Sequence, residues 1–107
     1  MLVLVLAGLR LQKINNSASK TNDVTLVITS IGSKTEEMHT AGDTALKLLA
    51  VNHNITLKNA FIECIDDVCA DSGYWWKFLV NGKENSESAH FYKVKGGDIV
   101  EFRFAKK

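Results

Sequence analysis

The chain has 107 residues, of which 46% are hydrophobic and 23% charged, with a formal net charge of +1. That length and apolar content suit one domain with a single modest core and argue against intrinsic disorder. Basic residues are interspersed with Glu84, Glu87, Asp98 and Glu101 instead of gathering on one face, so no nucleic acid is expected as a partner.

The front end differs from the rest. "MLVLVLAGL" is too short to span a bilayer and lacks the basic segment that precedes a secretory apolar core. With the polar "NNSASKTND" behind it, residues 1–22 are read as the remainder of an export signal or anchor followed by a linker, a possible membrane tether. The alternative is an extra strand or a helix docked on the domain. Residues 23–107 are then the folded domain.

From Asp23 the chain alternates. "VTLVITSIG" sets Val24, Leu26 and Ile28 on one face and Thr25, Val27 and Thr29 on the other, and ends at a Gly32-Ser33 turn. "KTEEMHT" pairs back as a second strand, with Met38 inward and Glu37 and His39 outward. The period then changes: Asp43 stands where an N-cap should, ahead of "TALKLLAVN" with Leu46, Leu49 and Ala50 at helical spacing. So short a helix keeps its shape only by laying that stripe on a sheet.

The sheet therefore continues. "AFIECI" and "VCA" flank Asp66-Asp67, and "WWKFLV" and "KE" flank Asn81-Gly82, the strongest hairpin signal in the chain because a type I′ turn needs positive φ at both central residues. "HFYKV", a Gly96-Gly97-Asp98 turn and "IVEFRF" complete the series. Two strands, a helix and several more strands are the β-grasp (ubiquitin-like) order: an α+β domain whose mixed sheet of four to six strands packs on one short helix.

At this point the residues resemble a known family. "YWWKFLVNGKE", a spacer and "HFYKVKGGDIVEFRF", preceded by "GDTALKLLAV" and "FIECIDDV", are similar to the β-grasp domain at the C-terminus of transcobalamin and intrinsic factor, also found in bacterial and archaeal surface proteins of unknown function. The resemblance runs from Val24 to Phe104. Its most specific parts are the aromatic-Val-Asn-Gly-Lys hairpin and the Gly-Asp before the last strand. It implies an exported, often membrane-anchored module that holds a ligand, with no catalytic residue. The pair Cys64 and Cys69 departs from the family pattern, and the larger helical domain that encloses much of the cobalamin has no counterpart in these residues.

The two cysteines can be argued from register. With Asp66 and Asp67 at the centre of a turn, Ile65 faces Val68, and Cys64 faces Cys69 in a non-hydrogen-bonded pair, within disulfide range. Such a bond agrees with an oxidising, extracellular or cell-surface location. Two reduced, buried thiols are the alternative.

No metal is expected. Cys-x4-Cys with His39, His53 and His90 dispersed is a weak match to a soft-metal site, and "DDVCAD" lacks the glycine bend of a calcium loop. Nor is an enzyme, or a bound cofactor. There is no Gly-x-Ser-x-Gly elbow, Gly96-Gly97 precedes a strand where a phosphate loop would need a helix, and "FAKK" is not an activatable Gly-Gly tail.

The adjacent tryptophans carry the functional question. Side chains alternate along a strand, so Trp76, Phe78 and Val80 form one set and Trp75, Lys77 and Leu79 the other. The first set matches Val100, Phe102 and Phe104 and is assigned to the core. Trp75 then faces away, and Tyr74, Trp75, Lys77, Phe91 and Tyr92 are the candidate binding residues, since clustered exposed aromatics mark interaction sites. Two readings follow: interaction with a surface protein, or a small ligand held on the aromatic patch, with Trp75 alternatively covering a sheet edge.

Overall fold

The computed structural model describes residues 22–107, so the expected export segment and linker lie, apart from Asn22, outside the described residues. The fold is mixed α+β, mostly strands with one short helix. Its order is β1 (Asp23–Ser30), β2 (Ser33–Thr40), α1 (Ala45–Asn52), β3 (Ile55–Lys58), β4 (Phe61–Ile65), β5 (Val68–Cys69), β6 (Tyr74–Val80), β7 (Lys83–Glu84) and β8 (Ile99–Lys106). A five-stranded mixed sheet runs β2-β1-β8-β6-β7, and a three-stranded sheet runs β3-β4-β5. The parallel pair is β1 with β8, and its neighbours are antiparallel.

Register decides the faces. Val100 pairs with Leu26 on one side and Val80 on the other, Phe102 with Ile28 and Phe78, and Phe104 with Trp76. Residues directly opposite share a face, so these three rows form one apolar surface. α1 covers it with Ala45, Leu48 and Leu49, all buried, joined by Ile65 of β4 and by Ala89 and Val94 of the connecting loop. Leu46 is only partly buried and Ala50 is exposed, so the helix is rotated relative to the expected stripe of Leu46, Leu49 and Ala50. The helix begins one residue later than Asp43 predicts. Thr44 is the N-cap, its hydroxyl accepting from the Lys47 N–H, while Asp43 accepts from the Thr44 N–H.

Two further expectations are corrected. Met38 points outward, 65% exposed, and Glu37 and His39 turn inward. β2 pairs His39 with Val24 and Glu37 with Leu26, so the two polar residues share the face of the core-facing set. "HFYKV" is a turn with a single bridge, Thr44 to Lys93, and not a strand. Its Tyr92 carbonyl and that of the preceding Ala89 are used by the helix: Ala45 N–H donates to Tyr92 O at 2.9 Å and Leu46 N–H to Ala89 O at 3.0 Å, which satisfies two donors that every helix start leaves open. Finally, β3 is a strand that the sequence pattern did not announce. It joins β4 through Asn59 (φ 53°) and Ala60 (φ 70°), a left-handed turn without glycine.

The Asn81-Gly82 turn is left-handed at both residues, φ 54° and 86°. Its Asn81 side chain also reaches across to the segment before β8. Asn81 Nδ2 donates to Asp98 Oδ1 at 3.1 Å, and the Ile99 N–H donates to Asn81 Oδ1 at 2.8 Å. Buried Asp98 further accepts from the Tyr92 hydroxyl (2.7 Å) and the Lys95 N–H (2.9 Å). Burial alone would raise its pKa, but these donors outweigh that and hold it below the ordinary carboxylate value. The Asn-Gly hairpin and the Gly-Asp turn are thus two halves of one structural lock.

Candidate functional site

β6 is paired with β8 along its whole length, but on its other side β7 covers only Leu79 and Val80. The edge from Trp75 to Phe78 therefore faces a space bounded by two other elements. One is the loop from Glu84 to His90, the other the β3–β4 turn with Ala60, Phe61 and Ile62. Between them lies a cavity of about 510 Å³, within the range of small-molecule sites. Buried Phe102 and Ala89 reach its inner side together with Phe78 and Leu46, and Trp75, Lys77 and Glu84 stand at its outer side.

The walls are fastened at several points. The Asn85 N–H donates to Phe78 O at 3.0 Å, anchoring the loop to the strand edge, and the Ser88 hydroxyl donates to Ala60 O at 3.4 Å, linking the loop to the hairpin turn. Lys77 Nζ lies 3.4 Å from Glu84 Oε2, so the cation beside Trp75 is shared with a carboxylate. Phe61, 68% exposed, and Trp75, 42% exposed, also border a second, shallower depression of about 380 Å³ that Lys58 and Lys107 line. These two aromatics divide the hollows.

The candidate residues do not gather into one patch. Trp75 and Lys77 meet at the cavity. Tyr74 lies on the opposite face and stacks on Phe104, ring centroids 5.4 Å apart. Tyr92 turns inward, edge-on to Phe78, and burial together with its bond to Asp98 raises its pKa to about 12. Phe91 is exposed and touches His90, which lines the cavity, but does not line it itself. Phe61 and Ile62 were missed as site residues because the Asn59-Ala60 turn that presents them carries no glycine signal. Trp76 is buried as expected, and its indole N–H donates to Val68 O at 3.0 Å.

Cys64 and Cys69 pair in the expected register and form a disulfide. A polar cluster lies beside that hairpin. His53 Nδ1 is 2.8 Å from Asp66 Oδ2 and its Nε2 is 2.6 Å from Glu37 Oε2, while His39 Nε2 is 2.9 Å from Glu37 Oε1. Asn52 donates to the same Glu37 carboxylate. Burial alone would lower the His53 pKa, but the bonds to Asp66 and Glu37 and their charges outweigh it and raise the pKa above 6.5. Among the described residues no group of three or more His, Cys, Asp or Glu side chains converges to hold a metal ion.

A family model described as "Domain of unknown function (DUF4430)" matches residues 38–106. No curated protein matches the chain. Among solved structures, a protein of Ruminococcus gnavus ATCC 29149, described as a candidate metal-binding protein, is similar with a TM-score of 0.68 at 18% identity over 80% of this chain and 98% of its own. Haptocorrin in complex with Cbi is similar with a TM-score of 0.65 at 20% identity over 86% of this chain, which spans only 27% of haptocorrin. At these identities the likeness is one of fold.

Proposed function

The chain belongs to the DUF4430 family, and from that premise we propose that it is a non-catalytic β-grasp module, related to the transcobalamin C-terminal domain, that binds a flat, largely apolar ligand outside the cell. The cavity at the open edge of β6 carries this reading: its size suits a small organic molecule, and Trp75 and Phe61 offer aromatic faces beside the Lys77–Glu84 pair. The strand-strand-helix-strand order with parallel first and last strands supports the β-grasp assignment, and the likeness to haptocorrin supports the relationship. The Cys64–Cys69 disulfide supports an oxidising compartment.

A second reading is protein interaction at the cell surface, with residues 1–22 as the tether. The exposure of Phe91 (63%) and Phe61 (68%) favours it. Tryptophan fluorescence titrated with Cbi, other planar organic ligands and divalent metals separates the two. Saturable quenching that Trp75→Ala abolishes is expected. A flat response to every compound, with retained binding to a surface protein, would leave the second reading alone.

A further inference from the structure

His53 is placed where only its doubly protonated ring fits. Each of its nitrogens faces a carboxylate, Asp66 at 2.8 Å and Glu37 at 2.6 Å, and an ionised carboxylate can only accept. A neutral imidazole has one N–H and one lone pair, so it would set a lone pair against one of these oxygens at hydrogen-bond distance. The imidazolium donates to both. The partners belong to different parts of the fold: Glu37 to β2, in the five-stranded sheet, Asp66 to the β4–β5 turn, and His53 itself to the end of α1. The remaining neighbours are Asn52 of α1 and His39 of β2, which reach Glu37 and not the ring. Asp66 continues the junction: its Oδ1 accepts from the Asn54 N–H and its own N–H donates to Asn54 O at 2.7 Å, closing the start of β3 onto the end of β4.

The three-stranded sheet thus has its tie to α1 and β2 at one end and the cavity wall, Ala60 to Ile62, at the other. We propose that His53 is a protonation-controlled latch: as an imidazolium bridging Asp66 and Glu37 it holds the β3–β4–β5 sheet, and with it the Ala60–Ile62 wall of the cleft, against the main sheet, and as a neutral ring it releases that end. The control of the cleft rests on the binding reading above; the latch does not. Its sign is fixed. The His53 pKa is raised on folding, so its contribution is complete below 6.5 and is lost as pH rises through the higher folded value. Glu37 and Asp66 have lowered pKa values, so their side of the bridge is intact at neutral pH and fails only in acid.

The test is amide hydrogen exchange by NMR, expressed as protection factors, at about pH 5.5 and about pH 8.5, which lie on either side of an ordinary histidine titration. Protection at Ile62, Ile65 and Asp66 should fall on the order of tenfold at the higher pH while β1 and β8 stay unchanged. His53→Gln should lack the pH dependence, and Asp66→Asn, which removes one carboxylate and lets a neutral ring fit, should shrink it and lower the His53 titration midpoint. Uniform protection at both pH values, or a His53 midpoint at or below the ordinary histidine value, would overturn the latch. Anilinonaphthalene sulfonate, used as a probe of the cleft, should bind more weakly at the higher pH. Binding that ignores pH while protection changes would overturn the control of the cleft, whereas no binding at any pH would count against the cleft reading and leave the latch to the exchange data.

Discussion

The indole N–H of Trp76 is donated to the carbonyl of Val68 over 3.0 Å, which ties the five-stranded sheet to the three-stranded one through a side chain only 8% exposed. Its neighbour Trp75 makes the opposite use of the same strand, facing out at 42% exposure. The two adjacent tryptophans should therefore respond differently to mutation. Trp76→Phe leaves Val68 O without its donor and a gap beside Phe104, and should cost about 2 kcal/mol. Trp75→Ala should change stability by about 0.5 kcal/mol or less, as for most surface positions. Urea denaturation of both variants checks the contrast.

The lock at Asn81 and Asp98 gives a second prediction. Asn81 Nδ2 and the Lys95 N–H can only donate, one to each carboxylate oxygen of Asp98, so Asp98→Asn would set its amide N–H₂ against one of them and should destabilise by about 2 to 3 kcal/mol. Its lowered pKa fixes the pH dependence: the stabilisation is present above 3.8 and lost as pH falls through the lower folded value. Stability measured between neutral and acidic pH should fall less steeply in the variant than in the parent chain.

That lock explains why so much of this region was legible in the sequence. Asn-Gly and Gly-Asp are local signals whose backbone demands no packing can hide, and the alternation of Trp75, Trp76, Lys77 and Phe78 has a period that only a strand satisfies. Where sequence reasoning failed, the deciding contact was distant. Glu37 and His39 look like solvent-facing residues until His53, at the end of the helix, supplies a partner for Glu37, which in turn holds His39. His90 to Val94 has strand composition, yet the Tyr92 carbonyl, with that of Ala89 just before the segment, is spent on capping α1. Part of the candidate site was hidden for a local reason, because Phe61 and Ile62 are presented by a turn at which Ala60 takes a conformation that glycine usually fills.

The disulfide supplies a third prediction. It spans a sequence separation of only 5, so the chain entropy that it removes is small, and replacing both cysteines with serine should cost about 2 kcal/mol at most. Native protein should titrate no free thiol before reduction. Two reactive thiols in native material would remove the support for an oxidising compartment.

The alkaline limb of the stability curve supplies a fourth. With His53 held charged between Asp66 and Glu37, stability should decline as pH rises past the His53 titration, and His53→Gln should flatten that decline while lowering stability near pH 6. Thermal unfolding across that range reads both effects.

Under the proposed function, the hollow between the edge of β6 and the Ala60–Ile62 turn takes a ligand. Two-dimensional NMR of the labelled protein titrated with Cbi and with anilinonaphthalene sulfonate tests it most directly. Saturable shifts at Phe61, Ile62, Lys77 and Ala89 and at the Trp75 indole, absent in Trp75→Ala, are predicted. Saturable shifts centred on Met38 and Ile99, which do not line the cavity, with these residues silent, would contradict it.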